Sequence, residues 1–385
     1  MTIGVFFGSR SPEHDISIIT GQLIISGLKK LGLPVVPVYL DKTGQWMLGE
    51  QLGQLKSFTA KELDFSKHKA YILDLENSKG KLVFKEKGVF GKTITIDLAF
   101  PALHGANGED GTIQGLFEMF NVPYVGCDVT ASAIAINKSL TKKILSTAGI
   151  PTAPFKSFTR KTWDNTKASI LPELETVITY PMMVKPPMLG SSIGIAKVTN
   201  QIELEQAIET AFYYGNEVLI EVAVPNLIDL TCAVLGNDNP EASLIQESVI
   251  SKDVFSFEDK YLKDGGAQLG KAVNSTIIPA RLDSKTTDLI RRVAIESFQA
   301  IGASGIARVD FLYDSQAGKF YVSEINTLPG TLYHHLWAKS GIELDVLLTR
   351  LIKLAQESYQ IKNQYATVFE SDLLKMTNSI KLKQK

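Results

Sequence analysis

Two carboxylates in the stretch ARVDFLYDSQAGKFYVSEINTLPG, residues 307–330, stand where strands ordinarily carry uncharged side chains: Asp310 and Glu324. Two apolar runs flank a polar turn, which predicts a β-hairpin. A turn centred on Ala317 sets Asp310 opposite Glu324 and Leu312 opposite Val322. Arg308, Asp310, Glu324 and Asn326 then share one face, and Val309, Phe311, Tyr321 and Ile325 line the other. Like charges opposed across a strand pair destabilise it unless something positive sits between them. Two carboxylates and an amide suit a hard cation such as Mg²⁺, which keeps waters and shares substrate phosphates. The plain alternative is a solvated face whose acids only keep the hairpin soluble. Acids are depleted in strands, which favours the metal reading.

A cation of that kind implies a phosphate cradle elsewhere. KPPMLGSSIG, residues 185–194, follows an apolar strand and brings in Lys185. Its Gly190, Ser191, Ser192 and Gly194 let backbone N–H groups approach an anion closely. No G-x-x-x-x-G-K-[ST] loop occurs, and turn chemistry alone reads GSSIG equally well as a plain hairpin turn. Lys138 in NKSLTKK and Lys260 in EDKYLK are further cations for phosphates, or else ordinary surface lysines.

The elements that must position these groups read as follows. TIGVFFG is a strand, GSRSPEHD a loop, ISIITGQLIISGLKKLG a helix and PVVPVYL a second strand, the start of an open parallel α/β sheet. Residues 42–95 are more polar and read as an inserted hairpin or decorated loop; IDLAFPALHG then restores the strand-and-loop pattern before the helix TIQGLFEMFN. The basic helix of NKSLTKKILSTAGIP is stopped by Gly149 and Pro151. YPMMVKPPMLGSSIGIAKV reads as strand, loop, strand; IELEQAIETAFYYG as an amphipathic helix; NEVLIEVAV as a strand; LDVLLTRLIKLAQESY as the last helix. The expected fold class is α/β and α+β, in units 1–126, 127–220 and 221–360 with a polar tail 361–385. The loop at 251–271 has the composition of a segment that closes over substrates.

Composition narrows the partners. With 385 residues, 44% hydrophobic, 21% charged and a net charge of −1, the chain has room for two or three ordinary soluble domains. The near-neutral balance argues against nucleic acid or an anionic membrane as main partner. No apolar run reaches the length of a membrane span. Cys127 and Cys232 offer neither a disulfide framework nor zinc spacing, which points to a reducing cytoplasm.

Taken in order, FFGSRSPEHDISI, HGANGEDGTIQGLFEMFNVPYVG, NKSLTKKILSTAGIP, VKPPMLGSSIGIAK, FEDKYL, ARVDF and EINTLPG resemble the D-alanine–D-alanine ligase family of the ATP-grasp superfamily, from residue 3 to about residue 350. The resemblance implies an ATP-grasp fold behind an N-terminal α/β domain, with ATP and Mg²⁺ (or Mn²⁺) as cofactors, amino acids as substrates, and a homodimer in the cytoplasm. It implies that Glu221 to Val224 hold the adenine edge, Asp229 the ribose, and Lys138, Lys185, Lys260 and Ser192 the phosphates. Asp310, Glu324 and Asn326 would hold the metal. Asp15, with Glu13 nearby, would take the ammonium of the first substrate and close the loops together with Ser191 and Tyr261. Asp15 would serve equally as a helix N-terminal acid. Arg308 and the N–H of Gly330 would stabilise a tetrahedral oxyanion, and His104 would contact substrate. The Lys-Tyr pair in EDKY is a mark of members that use an amine nucleophile.

One stretch departs from the family pattern. After Gly330 the family continues with a longer loop whose Thr and Ser bind the carboxylate of the second D-alanine; this chain reads PGTLYHHLWAKSGIE, several residues shorter and without that Ser. Thr331 and Tyr333 offer hydroxyls, and His334 and His335 offer charge. The product is expected to be D-alanyl-D-alanine for peptidoglycan. The alternatives are a ligase with a different acceptor amino acid or peptide, and a catalytically silent nucleotide-binding paralogue.

Overall fold

The computed structural model describes residues 1–59, 69–88, 91–190, 192–249 and 276–370. Its first sheet is built from β1 (Ile3–Gly8), β2 (Val35–Leu40), β3 (Trp46–Leu48), β4 (Ala70–Leu73), β5 (Leu82–Glu86), β6 (Thr93–Ile96) and β7 (Leu98–Pro101), in the order β6-β5-β4-β3-β2-β1-β7. Helix α1 (His14–Lys30) crosses from β1 to β2, and β1 lies parallel to both β2 and β7. Residues 42–95 are not a decoration. Apart from a 3-10 turn (Glu50–Gly53) and the short helix α2 (Lys56–Thr59), the described part of this stretch forms an antiparallel run that carries the sheet outward from β2, so the sheet is mixed rather than parallel.

After α3 (Thr112–Met119) come α4 (Val129–Ile136) and α5 (Lys138–Thr147). Asp128 and Asn137 cap them by accepting from Ala131 N and Leu140 N. A second sheet, β10-β9-β11-β8, is made from β8 (Phe155–Thr159), β9 (Met182–Lys185), β10 (Ala196–Val198) and β11 (Glu217–Val222), covered by α6 (Arg160–Val177) and α7 (Gln201–Tyr213). The third, β14-β13-β12-β15-β16, contains β12 (Leu227–Gly236), β13 (Glu241–Ser248), β14 (Thr276–Ile277), β15 (Gly305–Asp314) and β16 (Lys319–Asn326). Helix α8 (Ser284–Ala300) packs on it, and α9 (His334–Lys339) and α10 (Leu344–Lys362) close the chain back onto the first sheet. This is the ATP-grasp architecture, two α/β halves behind an N-terminal α/β domain.

The expected unit boundaries need two corrections. A cut between 220 and 221 would divide β11, whose strand runs to Val222; the second sheet ends there and the third begins at Leu227. The segment 127–150 also belongs elsewhere: Ala131, Ala135, Leu145 and Ile150 are buried in the core of the third sheet with Val309, Phe311 and Phe298, not with the second.

The hairpin β15–β16 pairs Asp310 with Glu324, as the sequence predicts. A bulge between Asp310 and Phe311 then shifts the register, so Phe311 meets Val322 and Leu312 meets Tyr321. Val322, not Tyr321, therefore enters the core beside Val309, Phe311 and Ile325. Cys127 and Cys232 are buried free thiols, both raised to about 12 by burial.

Candidate active site

A cleft opens between the loops at the C-terminal ends of β1 and β7, the junction of α4 and α5, Gly190 and the end of β16. Open α/β sheets bind ligands at the carboxyl ends of their parallel strands, and here two such ends, of β1 and β7, meet the end of the antiparallel strand β16. Arg308, Glu324 and Asn326 line one wall; Glu13, His104 and Glu109 line another.

The first wall is a charge lattice. Arg308 is 4% exposed and donates from Nε to Asp310 Oδ1 at 2.9 Å and from Nη2 to Oδ2 at 2.7 Å. Thr231 Oγ1 donates to Asp310 Oδ1 at 2.9 Å and Asn326 Nδ2 to Oδ2 at 3.2 Å. Glu324 receives Lys138 Nζ at 2.9 Å and lies 3.7 Å from Arg308 Nη2. Lys138 also donates to the Leu189 carbonyl at 2.9 Å, tying α5 to the Gly/Ser segment. Burial and the facing Glu324 raise the Asp310 carboxyl even against Arg308. Two enclosed acids so close together still call for more positive charge. Among the described residues no group of three His, Cys, Asp or Glu could cage a metal. Two carboxylates and an amide are instead the ligand-poor set of a cation that shares a substrate's oxygens, so the residues fit Mg²⁺.

Behind this wall sits a second cluster. Glu221, fully buried at the end of β11, faces Lys142 Nζ at 2.8 Å and is bonded to Lys185 Nζ. Burial would raise its carboxyl, but the two lysines outweigh it and hold Glu221 at about 2. The side chain of Glu221 is thus committed to lysines, leaving backbone groups of 221–224 for any base edge. Val224 is half-buried just past β11, and Asp229 lies on β12 two residues from Thr231.

On the other wall Glu13 and Asp15 part company. Asp15, on the first turn of α1, is 82% exposed and 3.9 Å from Lys42, turned away from the cleft. Glu13 is the buried acid. A Cβ on Gly190 would stand 3.3 Å from both its carboxylate oxygens, and one on Gly105 (φ +68°) 2.8 Å from Oε2. The Glu13 carboxylate therefore lies lodged between the HGANG loop and the Gly/Ser loop. His104 Nε2 is 2.9 Å from Thr20 Oγ1, and its Nδ1 is 3.9 Å from Glu109.

Neither Thr331 nor Tyr333 lines the cleft. Thr331, Leu332 and Tyr333 all have left-handed backbones (φ 50°, 55° and 49°), a tight turn that swings the chain behind Gly330. The Thr331 hydroxyl donates to the Gly330 carbonyl at 2.8 Å, and its N–H donates to Thr20 Oγ1 at 3.0 Å. Tyr333 is 2% exposed, its ring 5.1 Å from the Arg308 guanidinium; burial raises its phenol to about 12. His335 supplies no charge, because burial lowers it to about 4. Ser192 has a left-handed backbone (φ 61°) at the head of the turn ending in Gly194. Ser191, Lys260 and Tyr261 lie outside the described residues.

Sequence reasoning missed Lys142, Thr231, Thr20 and Glu109. Lys142 had a signal, since it stands one helical turn after Lys138 and shares its face. Thr231 had none, because only the pairing of β12 with β15 sets it opposite Asp310.

Residues 2–127 match the family model for the D-ala D-ala ligase N-terminus, and residues 144–353 that for the D-ala D-ala ligase C-terminus. A D-alanine–D-alanine ligase of Thermosipho melanesiensis is 36% identical over 376 residues, 98% of this chain and 99% of that protein. D-alanine–D-alanine ligase A of Salmonella typhimurium is 35% identical over 378 residues, 95% of this chain and 99% of that protein. Among solved structures, the D-alanine–D-alanine ligase of Coxiella burnetii aligns with a TM-score of 0.79 at 28% identity, covering 98% of both chains. The VanG D-Ala:D-Ser ligase of Enterococcus faecalis aligns with a TM-score of 0.78 at 31% identity, covering 92% of this chain and 99% of that one.

Proposed function

Since this chain belongs to the D-alanine–D-alanine ligase family, we propose that it joins two molecules of D-alanine at the expense of ATP, through an acylphosphate. The observation that carries this reading is the meeting of Lys138, Arg308, Glu324 and Asn326 with the buried Glu13 across one cleft, Asp310 being paired with Arg308 beside them.

Glu13 would hold the ammonium of the first D-alanine, leaving its carboxylate directed at the phosphoryl donor. That carboxylate and a triphosphate repel one another, and Lys138 and Lys185 would spread the phosphate charge. Asp310, Glu324 and Asn326 would hold Mg²⁺, or Mn²⁺ in its place; when bound, it neutralises charge on the phosphates. A carboxylate oxygen bonds to the γ-phosphorus as the β–γ bridge breaks, and ADP departs. The neutral amine of the second D-alanine then bonds to the acyl carbon. Arg308 and the Gly330 N–H would stabilise the resulting oxyanion. The bond to phosphate breaks, the amine gives up its proton, and dipeptide and phosphate leave.

The test is mass spectrometry of products from ATP, Mg²⁺ and D-alanine, with ADP and phosphate assayed alongside. The expected result is D-alanyl-D-alanine with equal amounts of ADP and phosphate, abolished by EDTA. ATP turnover indifferent to amino acids, or none at all, would overturn the reading in favour of a silent paralogue. A second acceptor is favoured by one observation: Thr331 and Tyr333 are turned behind Gly330, so the acceptor's carboxylate meets a wall without their hydroxyls. The likeness to a D-Ala:D-Ser ligase makes D-serine the first alternative to run in parallel, with D-lactate and short peptides.

No helix among the described residues is long and apolar enough to cross a membrane, and a nucleotide substrate supports a cytoplasmic location. The family resemblance supports a homodimer, which light scattering of the purified chain checks.

A further inference from the structure

Lys142 has no part in the steps above, yet few charged side chains among the described residues are so enclosed. It is 1% exposed, its Nζ 2.8 Å from Glu221 Oε2, and Glu221 is itself 0% exposed. On α5 it follows Lys138 by one turn and points inward with it, while Lys143 faces solvent. The ring of Phe155 lies 5.7 Å from Nζ. Burying an ammonium is costly even when it is paired, and an apolar side chain of similar length would pack the same space at less cost.

The geometry gives that charge a task. Glu221 carries one negative charge and faces two ammoniums, Lys142 on Oε2 and Lys185 on Oε1. Were Lys142 neutral, Glu221 and Lys185 would form a one-to-one pair inside the protein, and an arriving phosphate would have to compete for Lys185 with a fixed carboxylate. With Lys142 in place, the carboxylate is neutralised from the helix side, and the pair of lysines keeps an excess positive charge on the side of β9. Lys185 ends that strand and leads into the Gly/Ser segment, so the excess faces the place where an anion would lie.

We propose that Lys142 is a positioning residue for nucleotide binding: by neutralising Glu221 from behind, it leaves the Lys185 ammonium available to a polyphosphate. This rests on the assignment of Lys185 to nucleotide phosphates made above.

The experiment is calorimetric titration of the full chain with Mg²⁺–ADP and, separately, with adenosine, for wild type, Lys142→Met, Glu221→Gln and the double variant. Lys142→Met is expected to weaken ADP by roughly tenfold or more, the scale of one strong charge pair, and to leave adenosine within about twofold. Adding Glu221→Gln to Lys142→Met should restore ADP binding, because the competing carboxylate is gone. Equal losses for ADP and adenosine would overturn the proposal, since they mean that the end of β11 is merely distorted. Unchanged ADP affinity, or no restoration in the double variant, overturns it as well. Should Lys142→Met fail to fold, the comparison of Glu221→Gln with the double variant decides: equal ADP affinities support action through Glu221, and a further loss means that Lys142 touches phosphate directly, which overturns it. Failure of the wild type to bind ADP would instead bring down the nucleotide assignment itself.

Discussion

Glu13 and Asp15 stand two residues apart at the start of α1, where an interval of two turns side chains to nearly opposite faces. Only one of them can look into the cleft, and it is Glu13. Glu13→Gln is therefore expected to lower kcat/KM for D-alanine by roughly ten- to a hundredfold, the range for losing a hydrogen bond to a charged group. Asp15→Ala should stay within about twofold, as for an exposed, screened pair. Steady-state kinetics that reversed this order would return the ammonium site to Asp15. His335 invites a pH experiment. Its Nε2 is 2.7 Å from Gln246 Oε1, and burial lowers its pKa from 6.5 to about 4. The unfolded chain takes up a proton near the ordinary value while the folded one resists until about 4. This contribution is thus fully present above 6.5 and lost as pH falls toward 4, on the order of 3 kcal/mol in all. Urea unfolding across that window should show the loss, and His335→Gln should flatten it; an unchanged slope would mean that His335 titrates normally.

The element with the most at stake is the turn Thr331–Tyr333, in which three successive side-chain-bearing residues hold left-handed backbones. Such a conformation costs about 1–2 kcal/mol for each residue, so its surroundings must impose it. Thr20 of α1 supplies one of the holds, accepting from the Thr331 N–H while meeting His104. Thr20→Val should cost about 1–2 kcal/mol of stability, the price of a buried donor left unpaired. It should also lower kcat more than the KM for ATP, because the turn carries Gly330 and seats Tyr333 under Arg308. Chemical denaturation and initial rates check both; an undiminished kcat would show that the remaining contacts hold the turn unaided. The shortened stretch was legible in PGTLYHHLW as a departure, but its left-handed path was not, since nothing in Thr-Leu-Tyr favours positive φ.

At the scale of the whole molecule, the first and third sheets share one core. Val5 and Phe7 of β1 pack in the same cluster as Leu235, Ile306, Trp337 and Leu348, and at Gly27 helix α1 approaches α10 so closely that a Cβ would lie 2.4 Å from Leu348. The second sheet keeps a core of its own around Trp163, Ile208 and Val218. Two welded sheets and one independent sheet predict unequal opening: native-state hydrogen exchange should find β8, β9 and β11 opening at lower free energy than β1 and β15. Nucleotide, held between α5 and the Gly/Ser segment, should raise protection in the second sheet most. Uniform protection across all three sheets would show that the molecule opens as one unit.

Much was decided by the order of residues alone. Period-two alternation sets Asp310 against Glu324 on one face of a hairpin, and the glycines of LGSSIG mark a turn after an apolar strand, because both depend on neighbours within a few positions. Tertiary structure decided the rest. Whether Glu13 or Asp15 faces the cleft depends on which side of α1 meets β1. Thr231 and Lys142 gain their roles from pairings that bring together residues far apart in the chain, Thr231 with Asp310 and Lys142 with Glu221. The bulge after Asp310 sets Val322, in place of Tyr321, in a core shared with Ala131 and Ala135 of α4 and Leu145 of α5, a meeting of residues far apart in the chain that no local spacing encodes.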